Sequence, residues 1–402
     1  MVRRYVLYMW LAVIIIFGRE LLQYDLFVPG IKWNHLLCGL LLFIYLPITL
    51  YNPAPYYYLR ACIVMAALIS TFLGWKSSNM GVFFNLNFPL SVLFFGVGYN
   101  SITSRREYIK LFEFLALLFF ITYVYKEIQF TLGGTPLLFG FSEIRMTRDF
   151  DASHLVKGSS DSLITIGNVA LLFFAYNKSK WRYILFVISA WILLRYGVRT
   201  AFFSTVLSIL SWKFYGVIFT GRYRVFYLII LPFLVWGISR INLIDSFYIM
   251  VDIFRENGID KRETFIWRLA SWIDSIQTSF DGGLYLIGES GRSINYNVMT
   301  SMNFREYLNP HNSYVYLLLH FGSLSIAMLS IVYYKVLKVD ISMRGDFLLK
   351  VSWCASLMYI IFPLGSPVLE LIHQGPLLWF LLGCHTKYKR YILRNNHHLL
   401  SI

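Results

Sequence analysis

The chain has 402 residues, of which 57% are Ala, Val, Ile, Leu, Met, Phe, Trp, Tyr or Cys and only 14% are charged. A soluble domain carries about a quarter charged residues, so this chain has too few to cover a water-facing surface. Its mean hydropathy of +0.59 agrees. These values exclude a soluble enzyme, a disordered scaffold and a secreted disulfide module. What remains is an all-α, polytopic integral membrane protein, and 35 Phe, 29 Tyr and 11 Trp suit helix ends that meet lipid headgroups. The net charge of +15 could suggest a nucleic-acid partner, but its distribution does not. The basic residues lie in short clusters between apolar runs, which is a topology signal.

A spanning helix needs about 20 mostly apolar residues. In chain order the candidates are 5–22, 34–50, 57–75, 81–99, 109–125, 160–177, 183–197, 200–218, 225–241, 311–334, 346–362 and 367–385, which makes about twelve spans in a single transmembrane domain over 1–402. The N-terminal run has a charged start but no small-residue cleavage site, so it reads as a retained first helix. With Arg3 and Arg4 inside, the clusters at Arg105–Lys110, Lys178–Arg182, Lys213–Arg224, Lys335–Arg344 and Lys387–Arg394 all fall on the cytoplasmic side. Both termini are then cytoplasmic. Two long segments face outward: 126–160, with four basic and four acidic residues, and 241–310, with six basic and nine acidic. The second, a large periplasmic loop between spans nine and ten, is too long for a plain connector and reads as functional. Within it, residues 263–280 read as an amphipathic helix placing Phe265, Trp267, Leu269, Trp272, Ile273 and Ile276 on the membrane interface.

Cys38, Cys62, Cys354 and Cys384 all fall in apolar runs and read as buried small hydrophobes. The eight histidines show no metal-ligand spacing, so neither a metal nor a cofactor is expected.

Three positions at the expected outer surface could carry chemistry. Arg195 and Arg199 are four apart, so on a continuous helix they share a face. Paired guanidinium groups bind pyrophosphate well; plain interfacial snorkelling is the alternative. Arg268 and Trp272 repeat the spacing, which allows the guanidinium to stack on the indole or hold a phosphate beside it, unless Arg268 is simply solvated. Asn309-Pro310-His311-Asn312-Ser313 precedes span ten. Pro310 suits the first helical position with Asn309 as cap, which places His311 in the first turn. Free amides there favour an anion, and a neutral imidazole could accept a proton from an attacking hydroxyl; a structural first-turn histidine is the alternative.

With these pieces in view, the chain resembles the O-antigen polymerase and O-antigen ligase superfamily of bacterial envelope assembly. The resemblance rests on Arg199-Thr200-Ala201 at a helix start, on Arg268 to Trp272 followed by Leu286-Ile287-Gly288-Glu289-Ser290-Gly291, and on His311-Asn312 running through to Phe321-Gly322. It covers residues 195 to about 330, roughly a third of the chain. It implies a glycosyltransferase acting on a glycan carried by undecaprenyl pyrophosphate at the periplasmic face of the inner membrane. Arg199 and Arg268 would hold the leaving pyrophosphate in place of a metal, with Arg195 beside them. His311 would orient or deprotonate the acceptor hydroxyl, and Asn312 and Trp272 would contact the substrate.

Partners implied are the lipid-linked donor and acceptor, membrane lipid and a chain-length regulator protein. The segment Leu369–Pro376 leading into Trp379–Gly383, together with Pro310 before His311, looks more like a polymerase than a ligase that moves the glycan to lipid A–core. A lipid-linked glycan flippase is a third reading. It is disfavoured because the chain lacks the two related halves and interior charges that transport calls for.

Overall fold

The computed structural model describes residues 2–17, 32–74, 86–131, 312–339, 345–365 and 374–400, with Ser211, Arg268, residues 271–273, 275–276, 279, 286–288, Met343, Leu369 and Ile372. Among them the regular structure is helical and no strand occurs. The helices are α1 (Val2–Phe17), α2 (Trp33–Tyr51), α3 (Tyr57–Gly74), α4 (Asn87–Ser101), α5 (Arg105–Thr131), α6 (Ser313–Leu337), α7 (Phe347–Ile361) and α8 (Gly375–Leu400). Among the described residues, three stretches are long and apolar enough to cross a membrane: α2, α6, and α7 with its short 3-10 extension to Leu364. The expected spans 160–177, 183–197 and 225–241 lie outside the described residues, as does 200–218 except for Ser211, and so do Arg195, Arg199 and His311.

The helices carry apolar side chains on both faces. On α2, Asn34, Cys38, Leu41 and Tyr45 are buried, while Leu36, Leu40, Phe43 and Leu50 form an outward stripe in which Phe43 is 74% exposed. Tyr58, Met65, Ile69 and Phe72 do the same on α3. A helix apolar all round belongs in a membrane or a large core. Because this stripe is exposed, it is compatible with a surface that meets lipid.

α4 sits at the centre, with almost every side chain from Asn87 to Tyr99 buried. Its main partner is α8, and their backbones touch. A Cβ at Gly98 would overlap the Phe380 carbonyl, and one at Gly383 would overlap that of Phe95. Small residues at a crossing allow this approach, which is how helices associate where lipid removes the hydrophobic drive. Trp379, Phe380, Phe95 and Phe94 fill the space around the crossing.

One end of the bundle gathers the basic residues from separate parts of the chain. Arg4 pairs with Glu107, joining α1 to α5. Tyr108 stacks on Tyr388 at 4.4 Å between ring centres, joining α5 to α8. The Lys389 ammonium is buried and donates to the carbonyls of Lys335, Val336 and Lys338 at 2.8, 2.9 and 2.9 Å. The last carbonyls of a helix have no partner within it, and a cation suits the negative end of its dipole. Arg390 donates to the Tyr99 hydroxyl at 3.1 Å, and Lys387 lies over the same ring.

Boundaries differ from expectation where turn chemistry overrides the apolar pattern. α8 begins at Gly375, not at 367, because Leu369, Ile372 and Gln374 are in turns and Pro376 suits a first helical turn. α5 continues to Thr131 beyond the expected end at 125, since Lys126-Glu127-Ile128-Gln129 are competent helix formers. Cys38, Cys354 and Cys384 are buried as expected, whereas Cys62 faces outward on α3.

A candidate functional site at the start of α6

The end of the bundle opposite the basic cluster is built around the first turn of α6. Asn312 caps that helix, its extended backbone leading in and its Oδ1 accepting from the amides of Tyr314 at 3.0 Å and Val315 at 3.2 Å. The cap is therefore Asn312 and not Asn309, and the helix begins at Ser313, not with Pro310. An Asn side chain satisfies two orphan amides at once, and that outweighs the preference of proline for a first turn. His311 precedes this cap directly in sequence. Asn312 is buried, and its acceptor oxygen is committed to the helix, so only its amide donors remain for a ligand.

Three bonds tie neighbouring segments to this turn. Ser313 Oγ accepts from the Leu369 amide at 3.2 Å. The Tyr314 hydroxyl donates to the Ile360 carbonyl at 2.6 Å, in the last turn of α7. The Cys38 thiol donates to the Ile372 carbonyl at 3.7 Å, bringing in α2. The turns between α7 and α8 thus lie across the N-terminus of α6.

Arg268 reaches this same connection. It is half-buried, and its Nη1 donates to the Gly365 carbonyl at 3.4 Å, just past the 3-10 turn that ends α7. Residues described between 268 and 279 are helical, so Arg268 and Trp272 share a face one turn apart. That helix meets the bundle through serines. Ser271, Ser275 and Ser279 are buried at four-residue spacing, and Ser279 Oγ donates to the Leu318 carbonyl of α6 at 3.4 Å. Ile273 is buried in protein, where an interfacial position was expected, while Trp272 and Ile276 stay half-buried. The i, i+4 serine pattern was the available signal, masked by the larger aromatic residues around it.

The glycine-containing pieces also meet. Gly288 and Gly322 have φ of 76° and 75°, and a Cβ on either would collide with the backbone of the other segment. With ψ at 172°, Gly322 occupies a region open almost only to glycine, and it kinks α6. A kink there breaks the bond that the Leu324 amide would make to the His320 carbonyl. Both halves are satisfied from outside: Leu324 donates to the Leu286 carbonyl at 3.1 Å, and the Ser70 hydroxyl of α3 donates to the His320 carbonyl.

A further pair at this end has no sequence signal. The His35 Nδ1 accepts from the Lys32 amide at 3.0 Å, which leaves Nε2 to donate to Asn87 Oδ1 at 2.8 Å, linking the starts of α2 and α4. Among the described residues, no group of three or more His, Cys, Asp or Glu side chains is placed to hold a metal.

The site thus combines a helix N-terminus, an arginine and a backbone joint between two distant segments. The Arg268 guanidinium suits an anion, but the free amides expected at this helix start are taken: Asn312 Oδ1 accepts from Tyr314 and Val315, and the Asn312 carbonyl accepts from Tyr316. The chain matches no protein-family model and no curated protein sequence.

Proposed function

We propose that this protein is a glycosyltransferase of the O-antigen polymerase type. It would join oligosaccharide repeat units carried on undecaprenyl pyrophosphate into a polysaccharide, at the periplasmic face of a bacterial inner membrane. The observation that carries this reading is the meeting of separated motifs. The Arg268 helix, the Gly288 segment and the helix running from Asn312 to Gly322 are joined by direct bonds or backbone contact. Nothing in their spacing along the chain requires that.

The chemistry follows from the residue types. A hydroxyl of the acceptor sugar attacks the anomeric carbon of the donor, and the bond from that carbon to the pyrophosphate oxygen breaks. His311 takes the hydroxyl proton. Charge grows on the departing pyrophosphate, and Arg199 and Arg268, with Arg195 near by, stabilise it through forked, charge-assisted bonds. Trp272 and the amide donors of Asn312 contact the substrate. The product chain remains on a carrier lipid, and undecaprenyl pyrophosphate leaves. A chain-length regulator protein would act on the growing polymer. The reading rests on a twelve-span path with both termini cytoplasmic and residues 126–160 and 241–310 outside, which would put these groups on the face where the donor is found.

The test is the lipopolysaccharide of a strain lacking the gene. A polymerase needs a hydroxyl on a second lipid-linked unit, so its loss leaves core bearing a single repeat. Bare core, with long polymer stranded on undecaprenyl pyrophosphate, would overturn this reading in favour of the ligase that transfers glycan to lipid A–core.

A further inference from the structure

At the basic end of the bundle, away from the candidate site, α1, α4 and α5 diverge around a cavity of about 760 Å³. A second cavity of about 440 Å³ adjoins it, and both are lined by Arg4 and Ser101. The polar groups of the wall are mostly spent. Arg4 is paired with Glu107, whose carboxylate also accepts from the Thr103 amide and hydroxyl at 2.8 and 2.7 Å. The Asn100 amide group donates to the Asn52 and Gly96 carbonyls. Ser101 donates to the Gly98 carbonyl. What faces the space uncommitted is cationic: Arg3, Arg106 and Lys110, all exposed, against a neutral Arg4–Glu107 pair.

The remaining wall is apolar, made by Tyr5, Tyr8 and Leu111. It runs out onto the exposed face of α1, where Tyr5 is 65% and Met9 67% exposed. The cavity is therefore charged on one side and continuous with a lipid-facing surface on the other. A soluble anion uses only the first. An amphiphile with a phosphate head uses both, and cation-lined pockets between membrane helices suit such headgroups.

We infer that the two adjoining cavities together hold the phosphodiester headgroup of an anionic phospholipid, with Arg106 and Lys110 of the larger and Arg3 of the smaller on the phosphate and Tyr5, Tyr8 and Leu111 against the glycerol and first acyl carbons. The occupant is a membrane lipid as ligand, distinct from the glycan carrier at the other end. The site stands whether or not the glycosyltransferase reading does.

The purified full chain in neutral detergent tests this by native mass spectrometry with phosphatidylglycerol, phosphatidylcholine or inorganic phosphate added. The wild type should retain phosphatidylglycerol and shed phosphatidylcholine. Each surface cation contributes on the order of 1 kcal/mol to holding an anionic lipid, so the Arg106→Gln/Lys110→Gln double variant should bind about thirtyfold more weakly. The charge-preserving Arg106→Lys/Lys110→Arg variant should retain the lipid, and Lys335→Gln, which removes a cation elsewhere at the same end, should change nothing. If the double neutralisation does not elute as a single species, Arg3→Gln is read in its place, with an expected loss of about fivefold. Equal retention by wild type and the neutralised variant overturns the inference. So does inorganic phosphate binding as tightly as phosphatidylglycerol, which would mark a soluble anion as the occupant.

Discussion

Arg268 and Glu107 show how differently two charged side chains can be placed in one apolar chain. Arg268 is half-buried and bonds the Gly365 carbonyl in the connection after α7, which fixes one nitrogen of its fork, and the proposed function gives it the leaving pyrophosphate. His311→Ala, Arg199→Ala and Arg268→Ala should each lower glycan transfer about a hundredfold or more while membrane levels stay unchanged. Arg199→Lys should fail as well, because lysine keeps the charge and loses the two-point grip. Polymer length on gels, set against immunoblot levels, measures this; normal polymer from a well-expressed His311→Ala chain would remove its proposed role. Glu107 is structural. Burial pushes its carboxyl up, but bonds from Thr103 and the Arg4 guanidinium outweigh that and hold it below the ordinary value of 4.5. A lowered folded value means the contribution to stability is full above the unfolded value and is lost as pH falls through the folded one. Melting of the detergent-purified wild type should therefore drop as pH is lowered below about 5, and Glu107→Gln should flatten that part of the curve.

Among the elements, α6 carries the most consequence, because it begins at the candidate site and is bent at Gly322. Gly322→Ala puts a side chain in a glycine-only region and into the Leu286 carbonyl. The strain alone is about 1–3 kcal/mol. The expected result is a protein that still inserts but melts lower and loses transfer, because the segment carrying Arg268 and Gly288 is no longer held against α6. Unchanged melting and polymer length would show that the kink holds nothing in place. The crossing of α4 and α8 gives a contrasting case. Gly98→Leu should destabilise by about 1–3 kcal/mol or more, read as lost monodisperse material after heating, since the overlap is with backbone that cannot rotate away. Its effect should fall on folding and leave specific activity per folded molecule unchanged.

At the scale of the whole molecule, the two ends of the bundle are chemically unlike. One gathers Arg4, Lys335, Lys387, Lys389 and Arg390, and the other gathers Arg268, Asn312 and the turns before α8. Tags after Arg106 and Arg344 should report the cytoplasm and a tag near residue 255 the periplasm; a cytoplasmic report from the last would put the candidate residues in the wrong compartment. The apolar windows alone placed α2, α3, α6 and α7 to within a few residues, because transfer into lipid is a local property that a stretch of about 20 residues displays by itself. Among the described residues, the gathering of Arg4, Lys335, Lys387, Lys389 and Arg390 at one end follows the basic clusters read from the sequence, whereas those at 178–182 and 213–224 lie outside the described residues. Three things were not legible in the sequence. The cap at Asn312 depends on which of two competing turn residues wins, and the start of α8 depends on turns tied to Ser313 and Cys38. The serine face at 271, 275 and 279 was hidden because an exposed aromatic and a buried one look alike in sequence. The contact of Gly288 with Gly322, and the rescue of the broken α6 bond by Ser70 and Leu286, join residues far apart in the chain. The amino-acid sequence by itself determined that the described part of the chain is helical, with helices apolar enough to cross a membrane, since hydropathy acts one segment at a time. Only the tertiary structure decided which segments share the candidate site, since a backbone close approach exists only once both partners are in place.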